Sequence, residues 1–393
     1  MNLNQRCESE LAELDKVGLK RVLPRQATAQ SSVEAPQLLD FSSNDYLQLS
    51  RHPAVLAAGI ACAQEHGAGA TGSRLLSGNL PCFEALENQV AEFKRSQAAL
   101  VFATGYQANA GALSTLLDKQ LWGEEPVVLT DRLNHASLHH ACKLAGVKQV
   151  RFRHNDLAHL EELLNKHPKQ QKIIATESVF GMDGDQLPVL ALADLALQHQ
   201  ALVYIDEAHA TGVWGPEGRG LGALTSPAIE ALKALGLWVV MGTFSKAVGV
   251  SGAYIACSHA VKLYLVNRCT GFVYSTAPSP FTVGAVSEAL RLIPSLTAER
   301  KHLHDLSDQF RSMLAESGWN CGTSSTHIVP VIAGEADDSI RLKQHLLQQG
   351  LITSAVRPPT VPPHTARVRI ALNCGHQLKD LERLIQALES TRA

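Results

Sequence analysis

The 393-residue chain contains no Cys-x-x-Cys pair, no Gly-Lys dipeptide and no apolar run near the length of a membrane span. Each absence closes a class of function. Without Cys-x-x-Cys there is no ready zinc knuckle or dithiol redox motif, and the eight scattered cysteines read as reduced, small apolar residues. Without Gly-Lys there is no phosphate loop of the G-x-x-x-x-G-K-[ST] type. The most apolar stretch, Ala234 to Phe244, falls short of the roughly 18 residues that a spanning helix requires. Charge of one sign is lacking too, since 35 Lys+Arg against 37 Asp+Glu leave a net charge of −2. Bulk positive potential is therefore unavailable for holding a polyanion. The opening residues are charged throughout and lack a signal-peptide core. A soluble cytoplasmic protein is expected, with neither nucleic acid nor membrane as partner.

What is present is an ordinary globular composition, 45% apolar and 18% charged, on a chain long enough for two or three domains. Leu11, Leu14, Val17 and Leu19 predict an amphipathic helix over Glu10–Leu23. From residue 97, short apolar runs alternate with helical patterns. The runs are Ala98–Ala103, Val127–Thr130, Lys172–Thr176, Ala201–Ile205, Leu237–Gly242 and Ala253–Cys257, with a helix such as Leu187–His199 between two of them. That alternation predicts an α/β fold with a mainly parallel, buried sheet flanked by helices. After residue 280 the pattern changes. Strands at Ile328–Ile332 and Ala366–Leu372, with helices at Asp338–Gln349 and from Leu378, predict a smaller α+β domain. The expected division is 1–45 for the N-terminal helix and connection, 46–280 for the large domain and 281–393 for the small one.

Several apolar runs end in a polar residue: Asp131, Glu177, Asp206 and Thr243. Ligands of open α/β sheets bind outside the carboxyl ends of the strands, so these ends mark a candidate site. Three other signatures fail. Gly67-Ala-Gly-Ala-Thr-Gly72 matches G-x-G-x-x-G, but Val55–Glu65 before it is helical, so it reads as a loop rather than a dinucleotide site. Asp206-Glu-Ala-His209 matches a helicase box but has no phosphate loop to serve. His135 and His139 have metal-pair spacing, yet Ala136 stands where a zinc protease needs Glu, and no metal is expected.

The remaining constellation is Gly242-Thr-Phe-Ser-Lys246, directly after a strand. A solitary lysine is most often solvated. One set among apolar and small residues is desolvated, which lowers its pKa and favours the nucleophilic amine used in Schiff-base chemistry. Asp206 strengthens that reading, because pyridoxal phosphate needs a carboxylate against its pyridinium nitrogen.

With these residues assembled, the chain resembles the α-oxoamine synthases among the fold-type I pyridoxal phosphate enzymes. The likeness runs through Phe41-Ser-Ser-Asn-Asp-Tyr-Leu47, Thr71-Gly-Ser-Arg-Leu-Leu-Ser-Gly78 and Asp131-Arg-Leu-Asn-His-Ala-Ser137. It continues through Thr176-Glu-Ser-Val-Phe-Gly-Met-Asp-Gly184, Asp206-Glu-Ala-His-Ala-Thr-Gly212 and Gly242-Thr-Phe-Ser-Lys246. The resemblance implies a fold-type I transferase that binds pyridoxal 5′-phosphate through Lys246, with Asp206 on the ring nitrogen, His209 on the phenolic oxygen and His135 on the ring face. It further implies that Gly105, Tyr106 and Thr243 hold the phosphate, that Ser178 lies near the cofactor, and that Thr276 completes the site of a partner subunit in a homodimer. Lys246, His135 and Asp206 are the implied catalytic residues. Arg21, His135, Arg357 and Thr360 are the implied substrate contacts. Arg357-Pro-Pro-Thr-Val-Pro362 followed by Ala366-Arg-Val-Arg-Ile370 is most similar to the biotin-pathway branch. That branch condenses L-alanine with a pimeloyl thioester, on CoA or a carrier protein, with loss of carbon dioxide; sister synthases use glycine or serine with another acyl-CoA. One departure is visible: Gly181 stands where many relatives have Ser.

Overall fold

The computed structural model describes residues 1–23 and 38–392. The first helix, α1 (Leu3–Lys16), begins well before the predicted Glu10 and stops before Leu23. A capping box sets its start: Asn2 accepts from the Gln5 backbone N–H at 3.0 Å, and Gln5 accepts from that of Asn2 at 2.9 Å. Gly18 at φ +66° follows its end, so Leu19 cannot join the helical stripe. No residue of α1 is buried, so its spacing of leucines does not translate into a packed face.

Two compact units divide the described chain, one of residues 44–181 and 185–302, the other of 1–43, 182–184 and 303–393. Within the first, helices α2 (Pro53–His66) and α3 (Pro81–Phe93) precede a seven-stranded sheet. Its strands are β1 (Ala98–Phe102), β2 (Val127–Asp131), β3 (Gln149–Phe152), β4 (Lys172–Glu177), β5 (Leu202–Asp206), β6 (Trp238–Thr243) and β7 (Ala253–Cys257), in the order β1-β7-β6-β5-β4-β2-β3. Pairings from β3 to β6 are parallel, and β7 runs antiparallel to both neighbours. Six strands are buried along their whole length, which is why they read as unbroken apolar runs. Edge strand β3 is only four residues long, half-exposed and interrupted by Arg151, and it was not foreseen.

One face of the sheet presents Phe102, Val128, Ile173, Tyr204, Met241 and Ile255 to the core. Burying each such side chain contributes about 1.5–3 kcal/mol. Helix α4 (Gly105–Ala108), a π-turn (Asn109–Leu113) and helix α5 (Ala136–Ala145) cover that face through Leu113 and Leu138. The predicted helix at Leu187–His199 spans Val189–Gln198. Helix α6 (Pro280–Leu292), placed by the sequence reading in the small domain, packs on α2 instead. Glycine makes that approach possible: a Cβ on Gly284 would lie 2.5 Å from the Ala58 carbonyl oxygen and from Cys62 Cβ.

The second unit holds a three-stranded antiparallel sheet of β8 (Ile328–Gly334), β9 (Ser354–Val356) and β10 (Ala366–Ala371), with β10 central. Helices α7 (Ala336–Gln348) and α8 (Leu378–Glu389) bury Leu342 and Leu346, and Leu381, Leu384 and Leu388. Residues 182–184 belong to this unit because Arg367 binds Asp183 Oδ1 at 2.6 Å and Thr326 Oγ1 donates to the Gly184 carbonyl at 2.7 Å. No helix among the described residues is long and apolar enough to cross a membrane.

Two strand-end acids serve the scaffold. Glu207, just beyond β5, is fully buried against Lys94 and accepts the Gly222 N–H at 2.5 Å. Asp131, at the end of β2, accepts from Leu133 and Asn155 N–H at 2.8 and 2.9 Å and faces His154 Nδ1 at 3.0 Å. His154 Nε2 lies 2.8 Å from Asp185 Oδ2. Burial alone would lower the His154 pKa, but the hydrogen bonds and charges of Asp131 and Asp185 outweigh it and raise it to about 10. A raised folded-state pKa contributes stability that is full below the unfolded value of about 6.5 and is lost as pH climbs through about 10. His154→Gln should therefore lower the urea midpoint most near pH 6, with the gap to the parent protein closing at alkaline pH. A gap that is constant with pH would show that His154 contributes packing rather than charge.

Candidate active site

Parallel pairing sets Glu177 directly beside Asp206, and Asp206 beside Met241 on β6, so the polar strand ends form one edge. Asp206 is buried, and two donors hold its carboxylate. Asn109 Nδ2 lies 2.7 Å from Oδ2, and the Ala208 N–H lies 2.8 Å from Oδ1. Tyr204 O–H donates to Asn109 Oδ1 at 3.0 Å, which fixes the amide with its NH₂ toward the acid. The same NH₂ reaches Ser137 Oγ at 2.9 Å, and Ser137 Oγ lies 2.7 Å from His135 Nδ1. Burial and the charge of Asp206 push the neighbouring Glu177 up to about 8, while the His135 N–H, 2.5 Å from Glu177 Oε1, pulls the other way. Glu177 is thus mainly protonated at neutral pH.

His135 is exposed rather than a core residue, and it caps α5 by accepting from the Ser137 N–H. Desolvation lowers its pKa, against the pull of Asp206, which favours the neutral, planar imidazole. His139 turns away to Gln149 Oε1 at 2.7 Å, so the two histidines do not form a metal pair.

Lys246 follows β6 and is half-buried rather than enclosed, although Phe244, Ala247 and Val248 around it are buried. Its Nζ lies 2.8 Å from His209 Nε2. His209 Nδ1 lies 2.7 Å from Tyr46 O–H, which itself donates to Asn44 Oδ1 at 3.0 Å. That chain fits a His209 tautomer protonated on Nδ1, leaving Nε2 as acceptor for the lysine. The Gly181 departure has a steric counterpart here, because a Cβ at 181 would lie 2.3 Å from His209 Nε2. Ser178 directly follows β4. It is fully buried, and its Oγ is directed at the Asp206 carbonyl at 3.4 Å.

Gly105 begins α4 behind the Thr104 cap. A Cβ on Gly105 would come within 3.1 Å of Met241 Cε and 3.5 Å of Thr243 Cβ, so glycine lets this helix start close against the end of β6. Thr243 Oγ1 donates to the Gly252 carbonyl at 2.9 Å and lies 2.8 Å from Ser245 Oγ, which is exposed and adds a hydroxyl that the sequence reading did not select. Tyr106 is half-exposed, with its hydroxyl against His140. Thr276 is exposed in a bridge with Ser73. In the other unit, Arg21 Nη2 lies 3.5 Å from Thr360 Oγ1, Arg357 donates to the Gly18 carbonyl, and all three side chains line one cavity of about 230 Å³. Asn109, Tyr46 and Glu177 are the site residues that sequence reasoning did not assign. Tyr46 and Glu177 sit inside segments it had singled out, whereas Asn109 shows only in the folded π-turn.

Residues 36–388 match the family "Aminotransferase class I and II". The chain is 48% identical over 389 residues to 8-amino-7-oxononanoate synthase of Gluconacetobacter diazotrophicus, covering 97% of this chain and 96% of that one. The solved serine palmitoyltransferase of Sphingomonas wittichii superposes with a TM-score of 0.87 at 29% identity, covering 99% and 98% of the two chains. That of S. paucimobilis, solved with bound PLP–myriocin, does so with a TM-score of 0.85 at 27% identity over the same shares. The chain belongs to the aminotransferase class I and II family and is a fold-type I transferase dependent on pyridoxal 5′-phosphate.

Proposed function

We propose that this protein is an 8-amino-7-oxononanoate synthase, condensing L-alanine with a pimeloyl thioester, on CoA or a carrier protein, with loss of carbon dioxide in biotin biosynthesis. The observation that carries the reading is the Lys246–His209 pair at 2.8 Å on the same sheet edge as the pinned carboxylate of Asp206, in a chain 48% identical to a synthase of that name.

The donor set suits the cofactor. A buried, doubly hydrogen-bonded carboxylate fits a protonated ring nitrogen, an amine fits an aldehyde carbon, and a glycine-started helix with hydroxyls beside it fits a phosphate. When bound, pyridoxal phosphate supplies an electrophilic carbon for the amino acid's nitrogen and a ring that withdraws electrons from its α-carbon. Asp206 would hold the ring nitrogen, and His209 the phenolic oxygen. His135 would cover a ring face, while Gly105, Tyr106, Thr243 and Ser245 would hold the phosphate. Lys246 would hold the cofactor through its amine, and that amine, 2.8 Å from His209 Nε2, would be placed to take a proton from the α-carbon of the amino acid. Arg357 clamps a carboxylate with its planar fork, and Arg21 and Thr360 line the same cavity for the acyl donor. Exposed Thr276 serves the partner's phosphate site, which makes the functional unit a homodimer, working in the cytoplasm.

The likeness to serine palmitoyltransferase favours a second reading, a sister synthase that takes serine or glycine. Mass spectrometry of cofactor-loaded protein, incubated with pimeloyl-CoA and alanine, glycine or serine separately, distinguishes them. Product with alanine, retaining the pimeloyl carbons and lacking one carboxyl, is expected. Product only with serine or glycine would transfer the protein to the sister activity. Lys246→Ala should remove the covalent cofactor adduct from the intact-mass spectrum and lower turnover by roughly 10²–10⁴-fold or more. Undiminished turnover in that variant would remove Lys246 from the chemistry.

A further inference from the structure

The chain has no Cys-x-x-Cys pair, and His135 and His139 diverge in the fold. The fold brings together a set that neither pattern contains. Cys62 and His66 lie four residues apart on α2, which places them on one helix face. Cys82 follows Pro81 in the first turn of α3. One ligand atom from each lies within 4.8 Å of the other two, and all three residues are partly buried. Among the described residues this is the grouping whose ligand atoms converge so closely. The sulfurs are not joined, as all eight cysteines are free.

We propose that Cys62, His66 and Cys82 bind a thiophilic divalent cation of the zinc class, with the fourth coordination position open to water. The donor chemistry selects the ion: two thiolates and an imidazole suit zinc, whereas magnesium and calcium require oxygen ligands. The geometry is close to that required. Bonds of about 2.3 Å to sulfur and 2.0 Å to nitrogen put neighbouring tetrahedral ligand atoms roughly 3.5–3.8 Å apart. Ligand atoms now within 4.8 Å therefore close on an ion by about an ångström, through side-chain rotation. The framework behind them is firm, since Gly284 of α6 brings its backbone against Cys62 Cβ. Glu65 places a carboxylate oxygen 3.6 Å from His66 Nε2, an outer-shell charge of the kind that orients metal-bound imidazoles.

The ion is structural in this position. Both thiols release their protons on binding, and the new bonds tie the end of α2 to the start of α3. Those two points are the ends of the loop from Gly67 to Leu80, which carries the Thr71–Gly78 segment and Ser73, the bridge partner of Thr276. Closing that loop in the folded state restricts a segment whose free chain would otherwise be expensive to order. None of the three ligands belongs to the cofactor site, so the two centres are tested separately.

Cobalt(II) titration of the reduced, cofactor-loaded protein reads the site directly. Its tetrahedral d–d bands lie at longer wavelength than cofactor absorption, and its sulfur charge-transfer band reports thiolate ligation. The expected result is saturation near one equivalent, bleaching by added zinc, and loss of the signal in both Cys62→Ser and Cys82→Ser. Cys142→Ser, whose thiol is buried elsewhere in the core, should keep it. Turnover measured at saturating cofactor should be retained in the two site variants. Absence of tetrahedral bands in the parent protein, or bands that survive both substitutions, overturns the proposal. So does a Cys62–Cys82 disulfide in the digest of unreduced protein from cells, which would make the pair a redox element instead.

Discussion

The interaction on which the site depends is the pair of hydrogen bonds that holds the Asp206 carboxylate. An isolated carboxylate in a buried position would take up a proton, because desolvation opposes its charge. Here Asn109 Nδ2 and the Ala208 N–H each face one oxygen, and hydrogen bonds to a charged group are worth about 1.5–3 kcal/mol apiece. The backbone donor comes from the turn directly after β5 and cannot rotate away. The side-chain donor is less constrained, so its orientation has to be enforced, and the buried Tyr204 hydroxyl does this from the other end of the amide. Burial raises the Tyr204 pKa well above 10, which keeps that hydroxyl a proton donor.

The surrounding acids divide their work by environment. Glu177 is the register neighbour of Asp206, and two adjacent buried carboxylates do not both ionise readily. Glu177 takes the proton and anchors the His135 backbone. Asp131 and Glu207, also at or just past strand ends, are committed to His154 and Lys94. Four acids at or just beyond three strand ends are thus held in four different environments.

Much of this was legible in the sequence because parallel strands buried on both faces leave long apolar runs, and their polar ends stand out. Asp206, Lys246 and His209 follow such runs directly. Strand β3 was not legible: Gln149–Phe152 is an edge with one buried residue, so burial never shaped its pattern. The start of α1 depends on an Asn2–Gln5 capping box rather than on hydrophobic spacing, and its exposed leucines misled the periodicity. The α6 boundary turned on Gly59 and Gly284, whose small size admits a helix contact that composition does not reveal. Asn109 lies outside every strand end, and only the π-turn of the folded chain directs it at Asp206. Cys62, His66 and Cys82 escaped for a similar reason, since they converge from two helices across a loop.

The most direct test of the central role of Asp206 is exchange of the α-proton of L-alanine in D₂O, followed by ¹H NMR without an acyl donor. This isolates proton removal from the later condensation and from the identity of the thioester. With Asp206→Asn carrying a full complement of cofactor, the neutral amide keeps the shape but removes the charge. The account predicts that exchange falls by roughly 10²-fold or more relative to the parent protein, the usual consequence of deleting one preorganised electrostatic stabiliser. Exchange at the parental rate in the fully loaded variant would contradict it, and would place the stabilisation of the α-carbon's charge elsewhere in the site.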